Sequence, residues 1–288
     1  MKKSILMLAM IFITASASAQ FYVSASGGYS IGSAGTKFGT ETTMAGVENT
    51  YGSYGEGMHT QLRGGYFFND TFGVEAAFGY LHGADQTIRK VTIPGNDVDV
   101  VARARAYGAS ASLVYKFTNN VYGRFGALIK VGGETEAKGY IKQDMSGQPA
   151  PNGGNFPDGT YNETTFVQDY KGRLPLGFIG AIGYKYELSN NVSLFAELEY
   201  MGISVTRDKA IFKEFNSEIV TPDGNRTTVA TINNLPAGYS KEILYVDDLT
   251  LAEYQEAQAN PYARKQLSEK VPYSSFGINF GISYSFGK

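Results

Sequence analysis

From Ser275 to Phe286 the chain reads SFGINFGISYSF, with a large apolar group at every second position. Phe276, Ile278, Phe280, Ile282, Tyr284 and Phe286 fall on one side of an extended strand. Ser275, Gly277, Asn279, Gly281, Ser283 and Ser285 fall on the other. Side chains alternate across a strand, so this segment has one greasy face and one small, polar face. The greasy face needs a cover, which is a second sheet in a soluble sandwich or lipid around a closed barrel.

The other end of the chain favours lipid. Lys2 and Lys3 precede a short apolar core, Ile5 to Thr14, and Ala17-Ser18-Ala19 offers a small-residue cleavage site. Residues 1–19 therefore read as a signal peptide, with 20–288 as the mature chain. With Lys2 and Lys3 removed, 23 basic residues stand against 27 acidic ones. That balance gives no reason to expect nucleic acid as a partner. Cysteine is absent, which excludes disulfides, thiolate metal sites and cysteine nucleophiles. No later stretch reaches the roughly 20 apolar residues of a membrane-spanning helix.

Seven earlier segments repeat the terminal alternation: Phe21–Ile31, Met58–Phe68, Phe72–His82, Tyr107–Phe117, Val121–Val131, Leu176–Leu188 and Val192–Gly202. Each is long enough for the roughly 9–11 residues of a tilted membrane strand. Three connections are short, at Asn69-Asp70-Thr71, Asn119-Asn120 and Asn190-Asn191, and four are long. Phe68, Phe72, Tyr115, Phe117, Tyr184, Tyr186, Tyr284 and Phe286 gather beside the short turns, where an aromatic girdle belongs. The pattern predicts an all-β, eight-stranded, antiparallel, up-and-down transmembrane β-barrel. Its long extracellular loops span about 32–57, 83–103, 134–171 and 204–273, built from hairpins and one short helix, with both termini periplasmic.

The segments YFFNDTFGVEAAFGYLHG, YKYELSNNVSLFAELEYMG and the terminal SSFGINFGISYSF resemble the small OmpA/OmpX-like outer-membrane β-barrels, as found in Bacteroidota. The resemblance covers Phe21 to Phe286. It implies the outer membrane as compartment, contact with outer-membrane lipids and lipopolysaccharide, and handling by the barrel-assembly machinery. Phe280, Ile282, Tyr284 and Phe286 are the expected assembly signal. Such families usually end on the aromatic residue, whereas Gly287-Lys288 follow here, which displaces the signal by two positions.

Several charges fall on the inward faces: Arg63, Glu75, Arg124, Lys130, Lys185, Glu197 and Glu199. Counting back from the turns makes Arg63 diagonal to Glu75 and Lys185 diagonal to Glu197, within reach of long side chains. An eight-stranded barrel is just wide enough to be filled by side chains, so these charges are expected to form an ion-pair plug. His59 and His82 are the two histidines. They fall on opposite faces, a poor metal site, and no hydroxyl nucleophile is evident for His59. No cofactor is expected.

The long connections carry the distinctive sequence. QTIRKVTIPGNDVDVVARAR reads as a hairpin turning at Pro94, Gly95, Asn96 and Asp97. A second hairpin is expected around Pro222, Asp223 and Gly224. PAPNGGNFPDG suits an irregular tip within 134–171. Asp247 to about Gln258 reads as a helix, started by Asp247 and Asp248, that caps the barrel mouth with Leu251 and Tyr254. The functional expectation is a non-enzymatic structural, adhesive or partner-binding surface module that recruits an extracellular or outer-membrane protein. The alternatives are a narrow pore for small solutes or ions and a lipid-modifying enzyme at the outer rim.

Overall fold

The computed structural model describes residues 20–151 and 153–286. The expected signal peptide, 1–19, and Gly287-Lys288 lie outside the described residues. In chain order the strands are β1 (Gln20–Gly32), β2 (Thr36–Thr43), β3 (Gly46–Gly52), β4 (Gly57–Phe67), β5 (Phe72–Gly83) and β6 (Gln86–Ile93). Then come β7 (Asn96–Lys116), β8 (Val121–Asp144), β9 (Tyr161–Gly172), β10 (Leu176–Glu187), β11 (Val192–Gly202) and β12 (Ser204–Val220). The chain finishes with β13 (Arg226–Thr231), β14 (Glu242–Val246), helix α1 (Leu251–Ala259), β15 (Lys265–Leu267), β16 (Lys270–Pro272) and β17 (Ser275–Ser285).

Antiparallel pairings run from β1 to β4, β5, β7, β8, β10, β11 and β17. β17 then pairs back onto β1, with Val23 opposite Tyr284 and Ile31 opposite Phe276. Strand alternation is written directly into exposure. In β4, Met58, Thr60 and Leu62 are exposed while the alternating His59, Gln61 and Arg63 are buried. The outer wall carries exposed Phe21, Phe72, Leu113, Phe125, Ile182, Leu198 and Phe280. The interior holds serines, glycines and charges. The first short turn closes on its own side chain: Asn69 Oδ1 accepts from the amides of Thr71 and Phe72 at 2.9 and 2.8 Å.

Beyond the barrel wall the sheet does not dissolve into loops. Among the described residues the sheet contains seventeen strands, more than the eight wall strands and the hairpins that the periodicity predicts. β7 and β8 continue side by side from Lys116–Tyr122 to Asn96–Gln143, and β9 and β12 add to them. The 134–171 connection is therefore two long strand arms, and between them the described residues of 145–160 form turns and one isolated bridge, Pro149 to Asn155. Residues 32–57 contain the β2–β3 hairpin, whose β2 runs parallel to β6, and β14 runs parallel to β15. Both parallel contacts lie outside the ring of wall strands, in segments where only hairpins were expected. Alternation continues into these segments, but with polar residues on both faces it is weak, and pairing between distant strands supplies what the local pattern lacks.

The Pro94-Gly95 turn lies where the sequence places it, between β6 and β7, and Gly95 takes a φ of 78° there. The Pro222-Asp223-Gly224 turn joins β12 to β13. The helix is shorter than expected. Thr250 caps it and forms a capping box with Glu253, while Asp247 is taken by Arg173, whose Nη1 lies 2.8 Å from Oδ2. No residue of α1 is buried, and Leu251 is 72% exposed. The helix therefore does not cap the mouth with an apolar stripe.

Three apolar clusters fill the long-loop end, the smallest being Ala210, Ile243 and Tyr245 between β12 and β14. Tyr54, Leu81, Ala104, Leu128, Ile203 and Tyr273 close the barrel top. Phe166, Phe212, Phe215 and Ala230 form a separate core between the extended strands, with Tyr239 and Tyr262 stacked against it.

Candidate functional site

The inward charges converge at mid-barrel. Arg63 on β4 donates from Nη1 and Nη2 to the two carboxylate oxygens of Glu197 on β11, at 2.8 and 2.6 Å. Arg124 on β8 reaches the same carboxylate at 3.3 Å from Nε and donates closely to Glu199. Tyr122 OH donates to Glu197 at 2.7 Å. Gln61 joins the pairs: its Oε1 accepts from Arg63 Nε at 3.0 Å, and its Nε2 donates to Glu199 at 2.9 Å. Glu75 on β5 accepts from Tyr22 OH at 2.8 Å and lies 3.8 Å from Arg124 Nη1. All five charged side chains are buried. Burial of charge is tolerated only with partners of this kind.

Of the sequence-selected residues, the structure brings Arg63, Glu75, Arg124, Glu197 and Glu199 together. Arg63 is two register places from Glu75, as counted, since Gly65 stands opposite Glu75. Its guanidinium nevertheless turns across the interior to Glu197, because a long inward side chain points toward the barrel axis and not along the wall. Lys185 likewise holds the expected place, two residues from the Gly183–Glu197 pair. It lies toward the short-turn end with Nζ 6.0 Å from the Tyr22 ring. Lys130 does not join the cluster: its Nζ donates to Gly133 O at 2.8 Å near the long-loop rim.

A second group was not evident from sequence. Ser30 Oγ lies 3.2 Å from His59 Nδ1, and Asn279 Oδ1 makes a close contact with His59 Nε2. Glu199 Oε1 is 3.8 Å from the same nitrogen. The signal was available in the register, since Gly28 faces His59 and Ser30 faces Gly57, which makes Ser30 diagonal to the histidine. This corrects the expectation that no hydroxyl reaches His59. Ser30 is only 1% exposed, so Ser30, His59 and Asn279 form a buried hydrogen-bonded group with the Glu199 carboxylate beside it. Two glycines make the room. A Cβ on Gly28 would collide with Asn279 Oδ1, and one on Gly277 would collide with Ser30 Oγ. His82 is on the outer wall, exposed.

Cavities flank the network. On the long-loop side, about 90 Å³ lies between His59, Gln61, Leu81, Leu128 and Tyr273. On the short-turn side, about 50 Å³ opens among Tyr22, Glu75, Lys116, Tyr122 and Lys185. Each is smaller than the roughly 150 Å³ engineered apolar cavity that accepts benzene. Among the described residues no cluster of three metal-ligating side chains occurs.

Solved structures similar to this chain are outer-membrane proteins. A major outer membrane protein from Thermus thermophilus is 14% identical over 93% of this chain and 99% of its own, with a TM-score of 0.35. OprG from Pseudomonas aeruginosa is 12% identical, over 94% and 97%, with a TM-score of 0.32. Ail, the attachment invasion locus protein of Yersinia pestis, is 11% identical, over 93% and 99%, with a TM-score of 0.30. A search of the curated proteins found no match. The profile of the outer membrane protein beta-barrel domain matches residues 4–221. Most of the sequence thus carries the signature that the closed ring of alternating strands expresses, and the chain belongs to the outer membrane protein beta-barrel domain family.

Proposed function

We propose that this outer-membrane protein is a non-enzymatic surface module that binds a partner through its folded long-loop superstructure. In this reading β1, β4, β5, β7, β8, β10, β11 and β17 are the eight membrane-spanning strands of residues 20–288. Residues 1–19 are the removed signal peptide, and the termini and short turns are periplasmic. Phe280, Ile282, Tyr284 and Phe286 serve recognition by the barrel-assembly machinery. The observation that carries the reading is the contrast between the two parts of the molecule. The barrel interior is occupied by paired charges, while the opposite end devotes many residues to a sheet with its own aromatic core. That sheet ends in β3, an exposed edge strand with Val47 and Tyr51 turned outward. Unpaired edge amides and carbonyls accept an extended segment of another chain by strand addition.

The test places a photo-crosslinking residue at Val47 or Thr50 in cells. A discrete crosslinked protein, lost when residues 36–52 are replaced by a short flexible linker, is the expected result. No adduct from either position, with the protein folded and surface-labelled, would overturn the reading.

A narrow pore is the second reading, favoured by the two cavities on either side of the network. It requires the Arg63–Glu197–Arg124 cluster to part. Reconstitution in planar bilayers separates the two: stable unit conductance supports the pore, and silence supports the plug.

A further inference from the structure

We propose that the outer wall beside β1 holds one phosphate-bearing membrane lipid, its acyl chain in a groove over Gly27 and its phosphate on Arg105 and His82. The strand register builds the site. Ile278, Tyr29, Met58, His82 and Arg105 stand opposite one another in a single row across β17, β1, β4, β5 and β7. The next row toward the short-turn end is Phe280, Gly27, Thr60, Tyr80 and Tyr107. All these positions lie on the outward face, where lipid contacts a barrel of this family.

Gly27 leaves a gap in the wall. Apolar Tyr29, Met58, Ile278 and Phe280 stand around it, and the depression continues to Tyr80 and His82. Neighbouring strands are about 4.8 Å apart, so Met58 and Arg105 are separated by about 10 Å across the row. That is the scale of a lipid headgroup and the start of its chain. The greasy side of the row thus ends in two nitrogen-bearing side chains.

Arg105 is prepared for an anion. Its Nη1 donates to Gly83 O at 2.9 Å and to Ala104 O at 2.8 Å, which fixes the guanidinium plane. Among the described residues no acceptor engages its Nε or Nη2, and Glu134, its register partner on β8, forms no ion pair with it. Arg103, two residues earlier on the same strand face, is by contrast held by Glu136 at 2.8 Å and Asp85 at 3.3 Å. A fixed, half-exposed guanidinium beside an imidazole, above the Tyr80–Tyr107 ring pair, matches phosphate chemistry at an interfacial aromatic belt. A phosphate brings bidentate geometry to Arg105, and His82 adds a donor in either protonation state.

The proposal rests on β1, β4, β5, β7 and β17 being membrane-spanning, and its experiment is independent of which leaflet they face. The full chain in detergent micelles is mixed with bisphosphorylated lipid A and examined by native mass spectrometry. Dephosphorylated lipid A and inorganic phosphate serve as comparisons. Wild type is expected to retain one lipid A, with the dephosphorylated form and phosphate alone at least about tenfold weaker, the loss of a charge-assisted contact. Arg105→Gln is expected to reduce retention by about the same factor. Gly27→Leu fills the groove, and it too should reduce retention; a Cβ there meets nothing closer than 3.8 Å, and the heat-modifiable band verifies that the variant is folded. Equal retention of the dephosphorylated lipid, phosphate binding as tight as lipid A, or wild-type retention by both variants would overturn the assignment. Thiol labelling of a Val47→Cys variant, at an exposed position of β3, in intact cells reports the orientation separately, so failure of the topology and failure of the lipid site are distinguishable.

Discussion

Arg63 and Glu197 meet fork to fork inside the barrel, with N–O distances of 2.8 and 2.6 Å, although 134 residues separate them. Arg124 approaches the same carboxylate from β8, so a single glutamate holds two guanidiniums. Removing it leaves two buried positive charges with less compensation than either needs.

Glu197→Ala is therefore expected to destabilise the folded barrel by about 3–5 kcal/mol, the usual result of breaking a buried pair from one side. Glu197→Gln keeps an acceptor and should fall between alanine and wild type. Urea midpoints of the heat-modifiable band in detergent measure both. A midpoint unchanged by Glu197→Ala would remove the plug as a source of stability.

The superstructure has its own core, so damage there should stay local. Phe212 is 1% exposed and packs against Phe166, Phe215 and Tyr262. Phe212→Ala should cost about 3–5 kcal/mol in that region. Limited proteolysis is expected to cut between residues 161 and 231 while the heat-modifiable barrel band persists. Loss of the barrel band together with the arms would show one cooperative unit instead.

Glycine identity matters at barrel closure only where a neighbour is close. A side chain on Gly277 would collide with Ser30 Oγ and meet Tyr29 O at 2.9 Å, against 3.8 Å for the nearest atom at Gly27. Gly277→Val should lower stability by roughly 1–3 kcal/mol through overpacking, whereas Gly27→Ala should be neutral. Refolding yield into detergent, compared for the two variants, checks this. Equal yields would show that the β1–β17 seam relaxes freely.

Helix α1 provides a pH signal outside the barrel. The Lys265 ammonium beside Glu253 and the Thr250 amide hold its carboxyl down at about 2, against an ordinary 4.5. A depressed folded-state value means that the stabilising contribution is full above about 4.5 and is lost as pH falls toward 2. The α1 amides should thus lose hydrogen-exchange protection across that interval, ahead of the barrel strands. Glu253→Gln should flatten the response, and an unaltered profile in that variant would assign the change elsewhere.

The part of the fold that depends on local alternation was legible in the sequence. Met58, Leu62 and Phe280 are outward and Arg63, Glu75 and Asn279 inward because a strand has a strict period of two. The short turns at Asn69, Asn119 and Asn190 were legible because asparagine-rich polar steps between apolar runs favour tight reversals. The long arms were legible only at the Pro94 and Pro222 hairpins. Residues 134–144 are mostly small or charged, so no amphipathic signal announces them, and they become a strand by pairing with β7 and β9; of 204–220 only the arm before the Pro222 turn was legible, and its start is set by pairing with β9. The helix start was misplaced because Asp247 caps as readily as Thr250 in isolation, and only Arg173, distant in sequence, removes the aspartate from that role.

The sequence by itself thus determined a closed antiparallel wall with a greasy exterior and a charged interior, since side-chain direction follows from neighbouring residues alone. Only the tertiary structure decided which charges pair, that Lys130 stays at the rim, and that Ser30 and Asn279 meet His59. The Arg63–Glu197 and His59–Asn279 contacts join strands that are not hydrogen-bonded neighbours, and their meeting across the interior has no counterpart in local periodicity.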